Sequence, residues 1–95
     1  MPRKSRADNV TTVGLVQMTC EPEPEKNLKK AIAGINDAAK RGAQIVCLQE
    51  IFYGPYFCAE QTTRWYDFTE PIPDGPTVRL MQDLAREHHM AIVVP

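Results

Sequence analysis

Cysteine is scarce in this chain of 95 residues, and the three present, Cys20, Cys47 and Cys58, are an odd number at wide spacings. That pattern excludes a disulfide framework and a CxxC-type zinc site, and it fits a reduced, cytoplasmic setting. An excess of charge of one sign is also missing. Eleven Lys and Arg are interspersed with twelve Asp and Glu for a net charge of −1. Such a balance gives no polyanion-binding surface, so no nucleic-acid partner is expected. No apolar run approaches the ~20 residues needed to cross a bilayer. The segment "VTTVGLVQMT" is too short and too polar for the apolar part of a secretory signal, so no membrane partner is expected either. There is no GxGxxG, no Walker loop and no G-x-S-x-G, and nothing implies a metal or an organic cofactor. Aromatic residues make up only 7% of the chain, but Phe52, Tyr53, Tyr56 and Phe57 crowd behind one carboxylate, Glu50.

The hydrophobic pattern predicts five regular elements. "VGLVQM", Val13 to Met18, is short and rich in β-formers and reads as a strand. Asn27 to Arg41 places Leu28, Ala31, Ile32, Ile35, Ala38 and Ala39 three and four apart, the stripe of an amphipathic helix. Asn27 is its expected N-cap, and Gly42 fits the position just past its end. "QIVCL", Gln44 to Leu48, is a second strand whose unbroken apolar run predicts burial on both faces. From Glu50 to about Pro76 the chain is irregular and punctuated by proline and glycine, a length that usually serves function when ordered. Pro76 to about His88 is a second helix with Val78, Met81, Leu84 and Ala85 inward, and "AIVV", Ala91 to Val94, is a third strand.

The order β-α-β-loop-α-β predicts an α/β layer with a parallel sheet. Residues 1–10, which carry the basic cluster "PRKSRADN", are expected to form a flexible amino-terminal arm. Residues 11–95 are expected to be the amino-terminal portion of a larger domain, truncated after the third strand. A thin core of this size rarely closes on an uncovered strand.

Glu50 stands two residues beyond the apolar core of the second strand, at the carboxyl end, where open α/β sheets keep their chemistry. Two readings stand. It is either a solvated strand end or a general acid/base whose carboxyl the aromatics dry and push upward in pKa. Tyr53, Tyr56, Trp65 and Tyr66 either wall a pocket or pack the loop. Cys47 reads as a small hydrophobe inside a strand. Cys20 and Cys58 lack a nearby histidine in the sequence to activate them. His88 and His89 are adjacent, so they cannot present the i, i+4 pair of a helical metal site.

With these segments in view, the chain resembles the nitrilase superfamily of carbon–nitrogen hydrolases. The resemblance runs from "VGLVQM" through "NLKKAIAGINDAAKRGAQIVCLQEIF" and "YFC" to "DGPTVRLMQDLAREHHMAIVVP". "LQEIF" followed by "YFC" is most similar to the N-carbamoyl-amine amidohydrolases, the β-ureidopropionase and N-carbamoylputrescine amidase type. The resemblance implies the first part of an α-β-β-α sandwich, a Glu-Lys-Cys triad and no cofactor. It maps the triad glutamate onto Glu50, while no lysine or cysteine of these 95 residues matches the other two positions. The fragment alone is therefore expected to be inactive. It further implies a small-molecule amide or N-carbamoyl substrate, such as N-carbamoyl-β-alanine, and a homo-oligomer of the full-length protein, with Tyr53 and Tyr56 as candidate pocket residues. A general ω-amidase or nitrilase is the alternative within the class, and a non-catalytic α/β binding domain the alternative outside it.

Overall fold

A computed structural model describes residues 9–95. The expected flexible arm therefore falls mostly on residues 1–8, outside the described residues. Strand β1 (Val13–Val16), helix α1 (Pro24–Lys40), strand β2 (Ile45–Leu48), helix α2 (Pro76–His88) and strand β3 (Ala91–Val93) follow in that order. Two short 3-10 turns, Phe57–Ala59 and Thr63–Phe68, lie in the long connection between β2 and α2. The three strands form one parallel sheet in the order β1-β2-β3, as the alternation of strands and helices predicts. Its register pairs Val13 with Ile45 and Ala91, and Leu15 with Cys47 and Val93.

Helix α1 begins three residues earlier than the periodicity indicates. Pro24 opens it, which is favourable because the first N–H groups of a helix have no partner to lose. Asn27 is consequently not the N-cap; it sits inside the first turns, fully buried, on the same stripe as Ala31 and Ile35. The far end matches expectation. Gly42 takes φ +89°, and the Gly42 and Ala43 N–H groups return to the carbonyls of Ala39 and Ala38, at 3.1 and 3.0 Å. That is a Schellman ending, which only a residue free of a Cβ adopts without strain.

The start of α2 explains the "DGPT" sequence. Glu70, six residues before the helix opens, accepts the Thr77 N–H at 2.8 Å and the Thr77 hydroxyl at 2.5 Å. The carboxylate thus sits at the positive end of the helix dipole and satisfies a donor that has no helical partner. A Cβ on Gly75 would lie 2.6 Å from the Pro71 carbonyl oxygen and 2.8 Å from the Glu70 carboxylate, so this cap requires glycine there.

Ala31 and Ile35 of α1, Val46 and Leu48 of β2, and Met81 and Leu84 of α2 form the core, closed by Phe52 and Met90. A Cβ on Gly34 would meet Val16 at 2.7 Å, and one on Gly14 would meet Ala38 at 3.0 Å. These two glycines set the close approach of α1 to β1. Of the expected α2 stripe, Met81 and Leu84 are buried, whereas Val78 and Ala85 are only half-buried.

Burial on both faces of the sheet is not observed. The face toward the helices is covered, but on the other face Ile45 and Cys47 are half-buried, Leu15 is 78% exposed and Val93 is 48% exposed. Both helices lie against the inner face, and no second layer is present among the described residues. Helix α1 packs on β1 and β2, and α2 on β3. Cys47 is therefore a half-buried residue of the outer face rather than a core one.

Candidate active site

Strand β2 ends at Leu48, and the next two residues, Gln49 and Glu50, emerge at its carboxyl end. The side-chain amide of Gln49 fixes this exit. Its oxygen accepts the Met18 N–H at 2.9 Å, and its nitrogen donates to the Ile51 carbonyl at 3.0 Å and to the Cys20 sulfur at 3.3 Å. Two residues past Ile51, the Asn27 amide donates to the carbonyl of Tyr53 at 3.0 Å and is bonded on both sides to the Glu21 backbone at 2.7 Å. The segment carrying Glu50 is thus tied to the end of β1 on one side and to α1 on the other.

Glu50 borders a cleft of about 200 Å³ whose walls include Tyr53, Phe57, Trp65 and Phe68. The rings pack edge to face. Phe68 meets Tyr53 at 5.8 Å and Trp65 at 5.4 Å between centroids, nearly perpendicular in both cases. Arg64 stacks over the indole at 4.4 Å. A Cβ on Gly54 would come within 2.6 Å of the Phe68 ring, so the ring occupies space that only glycine leaves open. The indole N–H of Trp65 is buried with no hydrogen-bond partner among the described residues.

The expected drying of Glu50 does not occur within these residues. Its side chain is exposed, and the aromatics line the cleft beside it without covering it. Tyr53 shares the cleft with Glu50, whereas Tyr56 is 67% exposed and does not line it. The Tyr56 hydroxyl is nevertheless pushed above its ordinary pKa, first by the neighbouring Cys58 side chain, then by partial desolvation and by the Glu50 charge. It therefore remains a protonated donor at neutral pH.

The other candidates fall elsewhere. Burial pushes the Cys20 thiol up, with Lys30 opposing, and the sulfur shares its proton between the carbonyls of Ile51 and Phe52 at 3.6 and 3.5 Å. That is the environment of a structural thiol, not a thiolate. Lys30 is engaged with Thr19 and Glu21, and Lys26 with Glu21. Together they hold the Glu21 carboxyl below its usual range, chiefly through the Lys30 hydrogen bond. His88 bridges to Asn36 of α1 at 2.8 Å, and His89 ends α2 in the left-handed region at φ 51°. No group of three or more His, Cys, Asp or Glu that could hold a metal ion lies among the described residues, and no helix there is long and apolar enough to cross a membrane.

Gln49, Asn27 and Glu70 are positioning residues that pattern reading misses. For Asn27 a signal exists: a polar residue on the apolar stripe of Ala31 and Ile35 must be buried, and a buried amide must be bonded. For Gln49 and Glu70 no local signal distinguishes them from solvated residues, because their partners lie 31 and 7 positions away.

The carbon–nitrogen hydrolase family profile matches residues 12–95. An N-carbamoylputrescine amidase of Solanum lycopersicum is 34% identical over 95 residues, covering 100% of this chain and 30% of that protein. A beta-ureidopropionase of Arabidopsis thaliana is 32% identical over 98 aligned positions, covering 95% of this chain and 24% of that protein. A citrullinase of Francisella tularensis is 31% identical over 80 residues, covering 84% of this chain and 28% of that protein. The chain thus spans less than a third of the length of these relatives. With nearly its whole length matched, the chain belongs to the carbon–nitrogen hydrolase family.

Proposed function

We propose that Glu50 is the general base of a hydrolase that cleaves the carbamoyl group from an N-carbamoyl amine. The observation that supports this most is the placement of one carboxylate at the carboxyl end of β2, on an aromatic-walled cleft, with both its chain neighbours tied down. The names of the relatives point the same way, since several refer to N-carbamoylputrescine and one to ureidopropionate.

In this mechanism a cysteine from outside these 95 residues attacks the carbamoyl carbon as its proton passes to Glu50. The carbon–nitrogen bond breaks, the proton goes to the leaving amine, and a carbamoyl-enzyme remains. Water then attacks the carbamoyl carbon, with Glu50 taking its proton and returning it to the cysteine. A lysine, also from outside, holds the negative oxygen that develops. Tyr53 and the rings around it shape the apolar side of the site, whereas Tyr56 stands outside the cleft lining and is given no role in it. The protein would act as a cytoplasmic homo-oligomer.

The test is ammonia release by the full-length protein carrying this chain. N-carbamoylputrescine, N-carbamoyl-β-alanine, citrulline, a simple aliphatic amide and a nitrile are compared by kcat/KM. Preference for an N-carbamoyl amine is the expected result. Turnover of only the simple amide or the nitrile would replace this reading with that of a general amidase or nitrilase, a name some relatives carry. Turnover of none would favour a binding domain.

A further inference from the structure

The backbone ladder between β1 and β2 ends at the pair Val16 and Leu48. Beyond it both strands leave the sheet, and Glu50 would sit on a free loop. The Gln49 side chain replaces the missing ladder. Its carbonyl takes the Met18 N–H, and its two N–H groups reach the Ile51 carbonyl and the Cys20 sulfur, so both donors of the amide are used. The Cys20 thiol closes the network by donating toward Ile51 and Phe52. Glu50 therefore lies between two residues, 49 and 51, that are joined to each other through one amide and to the end of β1 through the same amide.

We propose that Gln49 is a positioning residue that holds Glu50 in the geometry its proton transfers require. This rests on the reading of Glu50 as general base. A base displaced by about 1 Å can lose on the order of 10²-fold in rate. Releasing the backbone at Ile51 and Met18 is expected to allow movement of that order at Glu50. Glutamine is required because the site needs an acceptor for Met18 and donors for Ile51 and Cys20 on one planar group. A glutamate there would keep the acceptor, lose both donors, and set a second negative charge against a carbonyl and next to Glu50.

The experiment is a double-mutant cycle in the full-length protein, with rates referred to folded sites counted by cooperative unfolding and circular dichroism. Gln49→Met, similar in length and unable to make any of the three bonds, is expected to lower kcat about 10- to 100-fold with KM within about threefold. Gln49→Glu is expected to lower kcat similarly and to move the acid limb of the kcat/KM profile to higher pH, through its charge beside Glu50. In the Glu50→Gln background, Gln49→Met is expected to add almost no further loss, because a residue that acts through Glu50 has nothing left to position. A purely structural tie would instead lower the amount of folded protein, leave kcat per folded site intact, and add fully in the double mutant. Either of those last two results overturns the proposal while leaving Glu50 as base. Near-normal turnover in Glu50→Gln alone overturns the underlying reading, and with it this one.

Discussion

The Asn27 amide, fully buried within α1, donates to the carbonyl of Tyr53 at 3.0 Å and so fastens the aromatic loop to the first helix. The same amide accepts the Glu21 backbone N–H and donates to the Glu21 carbonyl, both at 2.7 Å. Replacing it strands one backbone N–H and two carbonyls near the cleft. Asn27→Ala is expected to destabilise the protein by about 2–4 kcal/mol, read as a lower urea midpoint at unchanged slope. A loss under about 0.5 kcal/mol would show that water substitutes for the amide and that the loop is held by other means.

Phe68 fills the space above Gly54, and the chain has a single tryptophan, Trp65, in contact with that ring. Gly54→Ala is expected to displace Phe68, cost about 1–3 kcal/mol by overpacking, and shift Trp65 fluorescence to the red. An unchanged spectrum with unchanged stability would mean that the ring yields freely.

The thiols are ranked by their surroundings. Cys58 is exposed, and Cys20 is half-buried with its pKa raised above the ordinary 9.0 by burial. Because the thiolate is the reactive form, iodoacetamide at pH 7.5 is expected to label Cys58 at least about tenfold faster than Cys20. The folded state holds the Cys20 proton to higher pH than the unfolded chain does. Its stabilising contribution is therefore complete below pH 9.0 and is lost as pH rises through the higher folded value. Fast labelling of Cys20 at neutral pH would contradict this, as would loss of carbamoyl-enzyme formation in a folded Cys20→Ser variant.

The outer face of the sheet aligns Leu15, Cys47 and Val93 in one row and Val13, Ile45 and Ala91 in the next. Apolar surface of that kind, flanked by two open strand edges, drives association. The 95-residue chain on its own is expected to self-associate and to bind a hydrophobic dye, and Leu15→Lys is expected to reduce both. A monomer with a sharp, cooperative melt and no dye binding would show that this face is stable in water.

What was legible in the sequence followed the periodicities. Helix α2 lies at Pro76–His88 as its apolar spacing and the proline predict, and Gly42 ends α1 where its conformational freedom is needed. Strands β1 and β3 lie where their apolar runs predict but end sooner, since Met18 and Val94 continue those runs after the ladder has ended. Two-sided burial of β2 does not follow from its apolar run, which reports what a strand is suited to, not what covers it here. Asn27 reads as an N-cap because asparagine is favourable there in isolation, and only the proline three residues earlier and the distant Tyr53 carbonyl overrule it. The placement of Glu50 at a strand end could be read from the sequence. Its exposure could not, because that depends on where rings up to 18 residues away settle.

Proton transfer by Glu50 is tested most directly by kcat per folded site for Glu50→Gln in the full-length protein. The substitution keeps the shape and removes the base at a side chain that makes no core contact. Turnover of the preferred N-carbamoyl amine is expected to fall by roughly 10²–10⁴-fold with the urea midpoint nearly unchanged. Near-normal turnover in the folded variant would show that Glu50 is not the base.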